Sequence, residues 1–208
     1  MGLISNGTTI FDLGTTSAGI GSGMKFMKKL TASSSATLSF VHGSGGVNFS
    51  SYKEYLFTFN NIHPSNDGDI FQFNVSIDGG SNYNVAKTST FFRAYHAEAN
   101  NSAALGYEAG SDLAQGTGGQ RLTEALIGYD NDQSASGNLH LFNPSSTTFV
   151  KNFVAVTNIY QDNNQSNNAY TAGYLNTTSD IDAIRFAPGR DTGPTILATG
   201  DICMYGIA

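Results

Sequence analysis

The chain has 208 residues, of which 39% are hydrophobic and only 12% charged, with 10 Lys and Arg against 16 Asp and Glu. The resulting net charge of −6 makes nucleic acid and anionic membranes poor electrostatic partners. Cys203 is the single cysteine, which rules out an intrachain disulfide or a cysteine zinc site and fits a chain made in a reducing cytoplasm.

Ser, Thr, Asn and Gly carry the polarity, a composition that suits short strands and turn-rich loops better than helices. Residues 1–24 read as an extended N-terminal arm. They contain no basic stretch followed by an apolar run, so no export signal is expected. No run in the chain approaches the roughly 18 apolar residues of a membrane helix, so no membrane insertion is expected. Ile4, Ile10, Phe11, Leu13 and Ile20 stud the arm. Large apolar residues are sparse in purely disordered tails, so these five are candidate anchors that dock on a partner.

A domain spanning 25–208 follows. Residues 25–30 (KFMKKL) predict a charged edge strand. Residues 36–41 alternate, with Leu38 and Phe40 on one side, and residues 52–60 place Tyr55, Phe57 and Phe59 on a shared face. A turn is expected at 63–68, where Pro64 presets φ and Asp67-Gly68 closes. The strand at 71–77 shows the cleanest period of two, with Phe71, Phe73, Val75 and Ile77 on the dry face and Gln72, Asn74 and Ser76 on the wet one. Residues 78–82 read as a five-residue hairpin loop, with the return strand beginning at Tyr83. Residues 96–120 lack period and large apolar residues, which predicts a long interaction loop with at most a short helix at 102–108. A strand is expected at 122–129. Strands at 137–142 and 148–159 form a second hairpin around 143–146. A second polar loop is expected at 161–169. Strands at 170–176 and 181–186 read as a third pair. A Gly/Pro turn is expected at 190–194, and a last strand at 196–207 has a bulge at Gly200-Asp201. About ten short strands at these spacings predict an all-β fold: an antiparallel β-sandwich, jelly-roll-like, with an up-and-down barrel as the alternative.

No catalytic constellation emerges. His42, His63, His96 and His140 share no ligand spacing, and no Ca²⁺ loop is completed at residues 67–69 or 130–132, which turn chemistry explains. Nothing in the spacing of Glu54, Glu98, Glu108 and Glu124 selects an acid pair for glycoside cleavage. No nucleophile elbow or phosphate-binding loop is present. The expectation is a non-enzymatic chain with no catalytic residue, no cofactor and no metal.

Seven stretches resemble virion structural proteins of tailed, marine-type bacteriophages. They are MGLISNGTTIFD, KKLTASSSATLSF, YKEYLFTFNNIHPSNDG, SIDGGSNY, LHLFNPSSTTFVKNF, GYLNTTSDIDAIRF and the closing GDICMYGI. The resemblance implies a virion component assembled in the host cytoplasm: a tail, fibre or appendage subunit. A capsid or tail decoration protein and a polysaccharide-degrading appendage are the alternatives. It also implies a homo-oligomer, trimers in particular, joined to other virion proteins through residues 1–24. Host surface glycans are the candidate outward partner, and Tyr95, Tyr107, Tyr160 and Tyr170, which flank or lie in the two polar loops, are the candidate contacts.

Overall fold

In a computed structural model, which describes residues 3–5, 8–11, 23–124, 126–189 and 195–208, the chain is all-β. Two short strands, β1 (Leu3–Ser5) and β2 (Thr8–Phe11), pair antiparallel as a ribbon within the arm. The strands that follow are β3 (Met24–Thr31), β4 (Leu38–Val41), β5 (Glu54–Pro64), β6 (Ile70–Ser76), β7 (Lys87–Ala97) and β8 (Ala103–Tyr107). After them come β9 (Gln120–Arg121), β10 (Ala135–Phe142), β11 (Lys151–Gln161), β12 (Gln165–Leu175), β13 (Ala183–Gly189) and β14 (Leu197–Ile207).

These twelve strands form two antiparallel sheets. The larger is ordered β3-β14-β5-β10-β11-β12-β7-β8 and the smaller β4-β13-β6-β9. Eight of them, β3, β4, β5, β6, β9, β10, β13 and β14, trace a jelly roll. Taken in chain order, the first, eighth, third and sixth lie side by side in one sheet, and the second, seventh, fourth and fifth in the other. Two hairpins are added to this roll. β7–β8 enters between its fourth and fifth strands and β11–β12 between its sixth and seventh, and both widen the same sheet.

The core fills the space between the sheets. Tyr55, Phe57 and Phe59 of β5 point inward, as do Phe71, Phe73 and Val75 of β6, Leu139 and Leu141 of β10, and Ile202 and Met204 of β14. Phe186 of β13 lies at the middle, with ring contacts to Phe40, Phe57, Phe59, Phe71 and Phe73 at 5.2–6.4 Å between centroids. Tyr55 is fully buried because its hydroxyl has partners: it donates to the Asn48 carbonyl at 2.7 Å and accepts the Tyr52 amide at 3.0 Å.

Several local expectations change. Residues 78–82 do form a turn, knotted by Ser76, Asp78 and Asn82, and these hydrogen bonds hold the Asp78 carboxyl down to about 2. The turn does not close a hairpin, however. β6 pairs with β13 and β9 in the small sheet, whereas β7 pairs with β12 and β8 in the large one. The same holds for the expected third pair, because β12 and β13 belong to different sheets. β6 ends at Ser76, so Ile77 leaves the dry face and is exposed. The wet face of β6 is partly dry: Asn74 is buried where its amide donates to the Thr117 carbonyl, and Ser76 is buried under its own turn. β5 runs on through Pro64, which narrows the turn expected there. Instead of the short helix expected at 102–108, Ala103–Tyr107 form strand β8. In place of a strand over 122–129 there is the short β9, followed by bridges from Ile127 to Asp69 and Gln161. The polar loop expected at 161–169 is a tight turn at 162–164, with Gln165 already paired to Gln161 and Asn164 at φ 59. Gly200 adopts φ 128 amid two register shifts of β14, which is the expected bulge. The turn expected at 190–194 lies outside the described residues.

Candidate interaction face

Because the small sheet covers one side of the large one, the opposite side of the large sheet faces outward. The period of two assigns its residues. On β12 they include Tyr170, Ala172 and Tyr174, on β11 Val154, Val156 and Tyr160, and on β7 Thr90, Phe92 and His96. The register sets Tyr170 opposite Phe92, and Phe92 opposite Tyr107 of β8. The Phe92 and Tyr170 rings stack with centroids 4.9 Å apart and an interplanar angle of 7°. Phe92 is 41% exposed, Tyr170 37%, Tyr107 55% and Val154 44%. Leu105, two residues along β8, is 74% exposed. Beside the stack, the small side chain of Ala172 and the bare backbone at Gly173 leave a shallow apolar groove between Thr90 and Val154.

Of the four tyrosines singled out in the sequence, the fold brings Tyr107 and Tyr170 together through Phe92. Tyr160 lies on the same face near its end, by a depression shared with His96, Glu98 and Ser166. Its hydroxyl contacts Asn164 at 3.3 Å, and hydrogen bonding to Glu98 raises its pKa. Tyr107 donates to Asp112, which raises its pKa likewise. Tyr95 points to the other side of β7, with the Arg93 guanidinium 4.9 Å above its ring. Phe92, Leu105 and Val154 were missed by the sequence reading. Phe91-Phe92 looks like a plain apolar pair, and only the strand register shows that one ring is buried and the other exposed. Among the candidate anchors, Ile4, Ile10 and Phe11 belong to the β1–β2 ribbon, and Leu13 and Ile20 lie outside the described residues.

Three of the four imidazoles and the carboxylates near Arg93 are tied up locally. Arg93 bonds Glu108 through Nε at 2.8 Å and pairs with Glu124 through Nη1 at 2.6 Å. The second contact is an ion pair without good hydrogen-bond direction. Burial pushes the Glu124 carboxyl above its usual range, and the Arg93 charge partly offsets this. The guanidinium between them makes this carboxylate pair a brace, not an acid and base facing an open cleft. It fastens β8 and the segment after β9 to β7. On β10, His140 Nδ1 lies 2.5 Å from Glu54 Oε1 of β5. His63 meets the Gln133 carbonyl at 2.7 Å, and His42 accepts the Phe49 amide at 3.2 Å. Among the described residues, no three His, Cys, Asp or Glu side chains gather as a metal-holding group.

Two lysines are buried inside the sandwich, both opposite Leu175 in the strand register. The Lys87 ammonium donates to Asn74 Oδ1 at 2.7 Å and to the Val85 carbonyl at 2.8 Å, and burial lowers its pKa to about 8. Lys151 donates to the Thr177 and Ser179 carbonyls, and burial lowers its pKa as well. Both ammonium groups act as ties for backbone that leaves the sheets.

The chain was compared with family models, curated proteins and solved structures and matches none. Fold and face together define a class: a jelly roll widened by two hairpins into a broad sheet with an aromatic outer surface.

Proposed function

We propose that this chain is a non-enzymatic structural subunit of a bacteriophage virion, of the tail or fibre appendage kind, which acts as an oligomeric binding and assembly module. The observation that carries this reading is the outer face of the large sheet. It is broad and rich in aromatic and aliphatic groups, it rests on a rigid sandwich, and it has the makings of a contact surface. The resemblance of seven stretches across the chain to virion proteins points the same way. The Arg93 brace between Glu108 and Glu124 weighs against a polysaccharide-cleaving pair. In this reading residues 1–24 join the subunit to other virion proteins, the aromatic face assembles copies of the chain, and host surface glycans are the candidate ligand for Tyr160 in its depression with His96 and Glu98 at the end of that face. Function then lies in surfaces and assembly, with no cofactor required.

The test is the position and copy number of the chain in an intact particle map, paired with particles carrying the full-length double variant Ile10→Ser, Phe11→Ser. Density in a tail appendage, lost in the variant, is the expected result. Density spread over the capsid lattice would make the chain a decoration protein. Wild-type incorporation of the variant would remove the anchoring role of the arm.

A further inference from the structure

The outward side chains of β10, β11, β12, β7 and β8 include no Asp, Glu, Lys or Arg. The whole chain carries 10 basic and 16 acidic residues, so this surface is selectively free of formal charge. The other half of the same sheet face is different: it holds the Lys29–Asp201 pair and Glu54, which meets His140 of β10 at the border between the halves. The two edges of the sheet also contrast. β3 carries Lys25, Lys28 and Lys29, the usual protection of an edge, while β8 reads Ala-Ala-Leu-Gly-Tyr and is exposed along its whole length. A charge-depleted centre with aromatic residues and a rim of Asn, Ser and Thr is the anatomy of a protein–protein interface.

We propose that this face packs against the same face of a second copy of the chain across a two-fold axis. The proposal rests on the reading of the protein as an oligomeric module and names the surface that makes the oligomer. Charge argues for a second copy. A basic or acidic partner would find no complementary charge here, whereas an identical neutral surface satisfies both sides. Area agrees. Five strands spaced about 4.8 Å apart and about nine residues long span roughly 24 by 30 Å, or about 700 Å². Stable interfaces bury about 600–1,000 Å² per partner, and this face lies in the lower part of that range.

Shape supplies the register. In a two-fold contact, if one site touches another, the second touches the first in return. The protruding group of the face is Leu105 and the recess is the groove floored by Ala172. Leu105 sits opposite Ala94, one strand from Phe92 and two residues along. Ala172 sits opposite Thr90, one strand from Phe92 on the other side and two residues along in the reverse direction. Phe92 is therefore the midpoint between protrusion and recess. A two-fold axis lying between the two faces, passing over Phe92 and perpendicular to the line from Leu105 to Ala172, places each Leu105 in the other copy's groove and brings the two Phe92–Tyr170 stacks together.

The experiment uses the full chain. Sedimentation equilibrium at micromolar concentration is expected to give dimers, or larger assemblies built from pairs. Leu105→Glu is expected to weaken association at least about tenfold while leaving the melting temperature of the dilute monomer equal to that of the dilute wild type, because the side chain is exposed in the single chain. Phe26→Glu, on the charged half of the same sheet face, is the control that keeps the dimer. In a Cys203→Ser background, a short bis-maleimide is expected to join Phe92→Cys copies but not Phe26→Cys copies, since facing sheets pack about 10 Å apart. A monomer at all concentrations, a trimer, or a dimer indifferent to Leu105→Glu would overturn the proposal. So would a neutral oligosaccharide shifting the Phe92 and Tyr170 resonances of a monomer, which would assign the face to a sugar. A dimer that is absent from particles would leave this face standing and remove the virion reading. Incorporation without dimers would do the reverse.

Discussion

A lysine inside a sandwich shows how one residue sets a pH dependence. The Lys87 ammonium is buried with two acceptors, and its pKa falls from 10.5 to about 8. Below the lower value, both folded and unfolded chains are protonated, and the fold carries the full cost of the buried charge. Between the two values, the unfolded chain holds a proton that the folded chain has released, so stability rises with pH. The expected result is a urea midpoint that climbs from about pH 8 towards pH 10. The climb should end there, because burial raises the Tyr55 pKa and ionisation then favours the unfolded chain. Lys87→Met is expected to flatten the climb; an unchanged slope in that variant would assign it to another group. Nothing in the sequence marks Lys87 as buried. Lysine at that position reads as a solvated strand end, and only the closure of residues 111–120 over β6 and β7 removes the water.

At the scale of elements, β8 and the segment that follows it are held to β7 along one edge, by backbone hydrogen bonds that side-chain ties reinforce. β8 has one paired edge, to β7. Beyond it the backbone rejoins β7 at Ser89–Leu113 and Lys87–Gly116, and the Ser89 hydroxyl adds a tie by donating to Gln120 Oε1 at 2.6 Å and accepting the Leu113 amide at 2.9 Å. The Arg93 brace to Glu108 and Glu124 adds a second tie. Arg93→Met is expected to speed hydrogen exchange and proteolytic nicking within 98–124 while moving the global melting temperature little. Equal protection in the variant would show that the brace is dispensable. The sequence pointed to 96–120 as an unpatterned interaction segment. It did not show β8, because five residues without polar alternation carry no strand signal until β7 offers a partner. The opposite error at 161–169 has a related cause. Asn- and Gln-rich residues read as a loop, yet their backbone pairs along the whole of β11 and β7, since sheet hydrogen bonds do not depend on which side chain is present.

For the whole molecule, stability concentrates where both sheets meet. Phe186 touches rings contributed by β4, β5 and β6, so its loss opens a cavity shared by the two sheets. Phe186→Ala is expected to cost about 3–5 kcal/mol in denaturant unfolding. A loss below about 1 kcal/mol would mean that the surrounding rings collapse into the space. The sequence by itself determined the class of fold, because a period of two and turn residues are local properties of the chain. It placed Phe71, Phe73 and Val75 in the core, located the bulge at Gly200 and read the basic strand at 25–30 as an edge, where β3 lies. Only the tertiary structure decided which strand joined which sheet. Alternation says that a strand has a dry face but not which partner dries it, so the apparent hairpin at 78–82 became a crossing from one sheet to the other. For the same reason only the assembled sheet revealed the outer face. Phe92, Leu105 and Tyr170 are far apart in the chain, and strand pairing alone makes them neighbours.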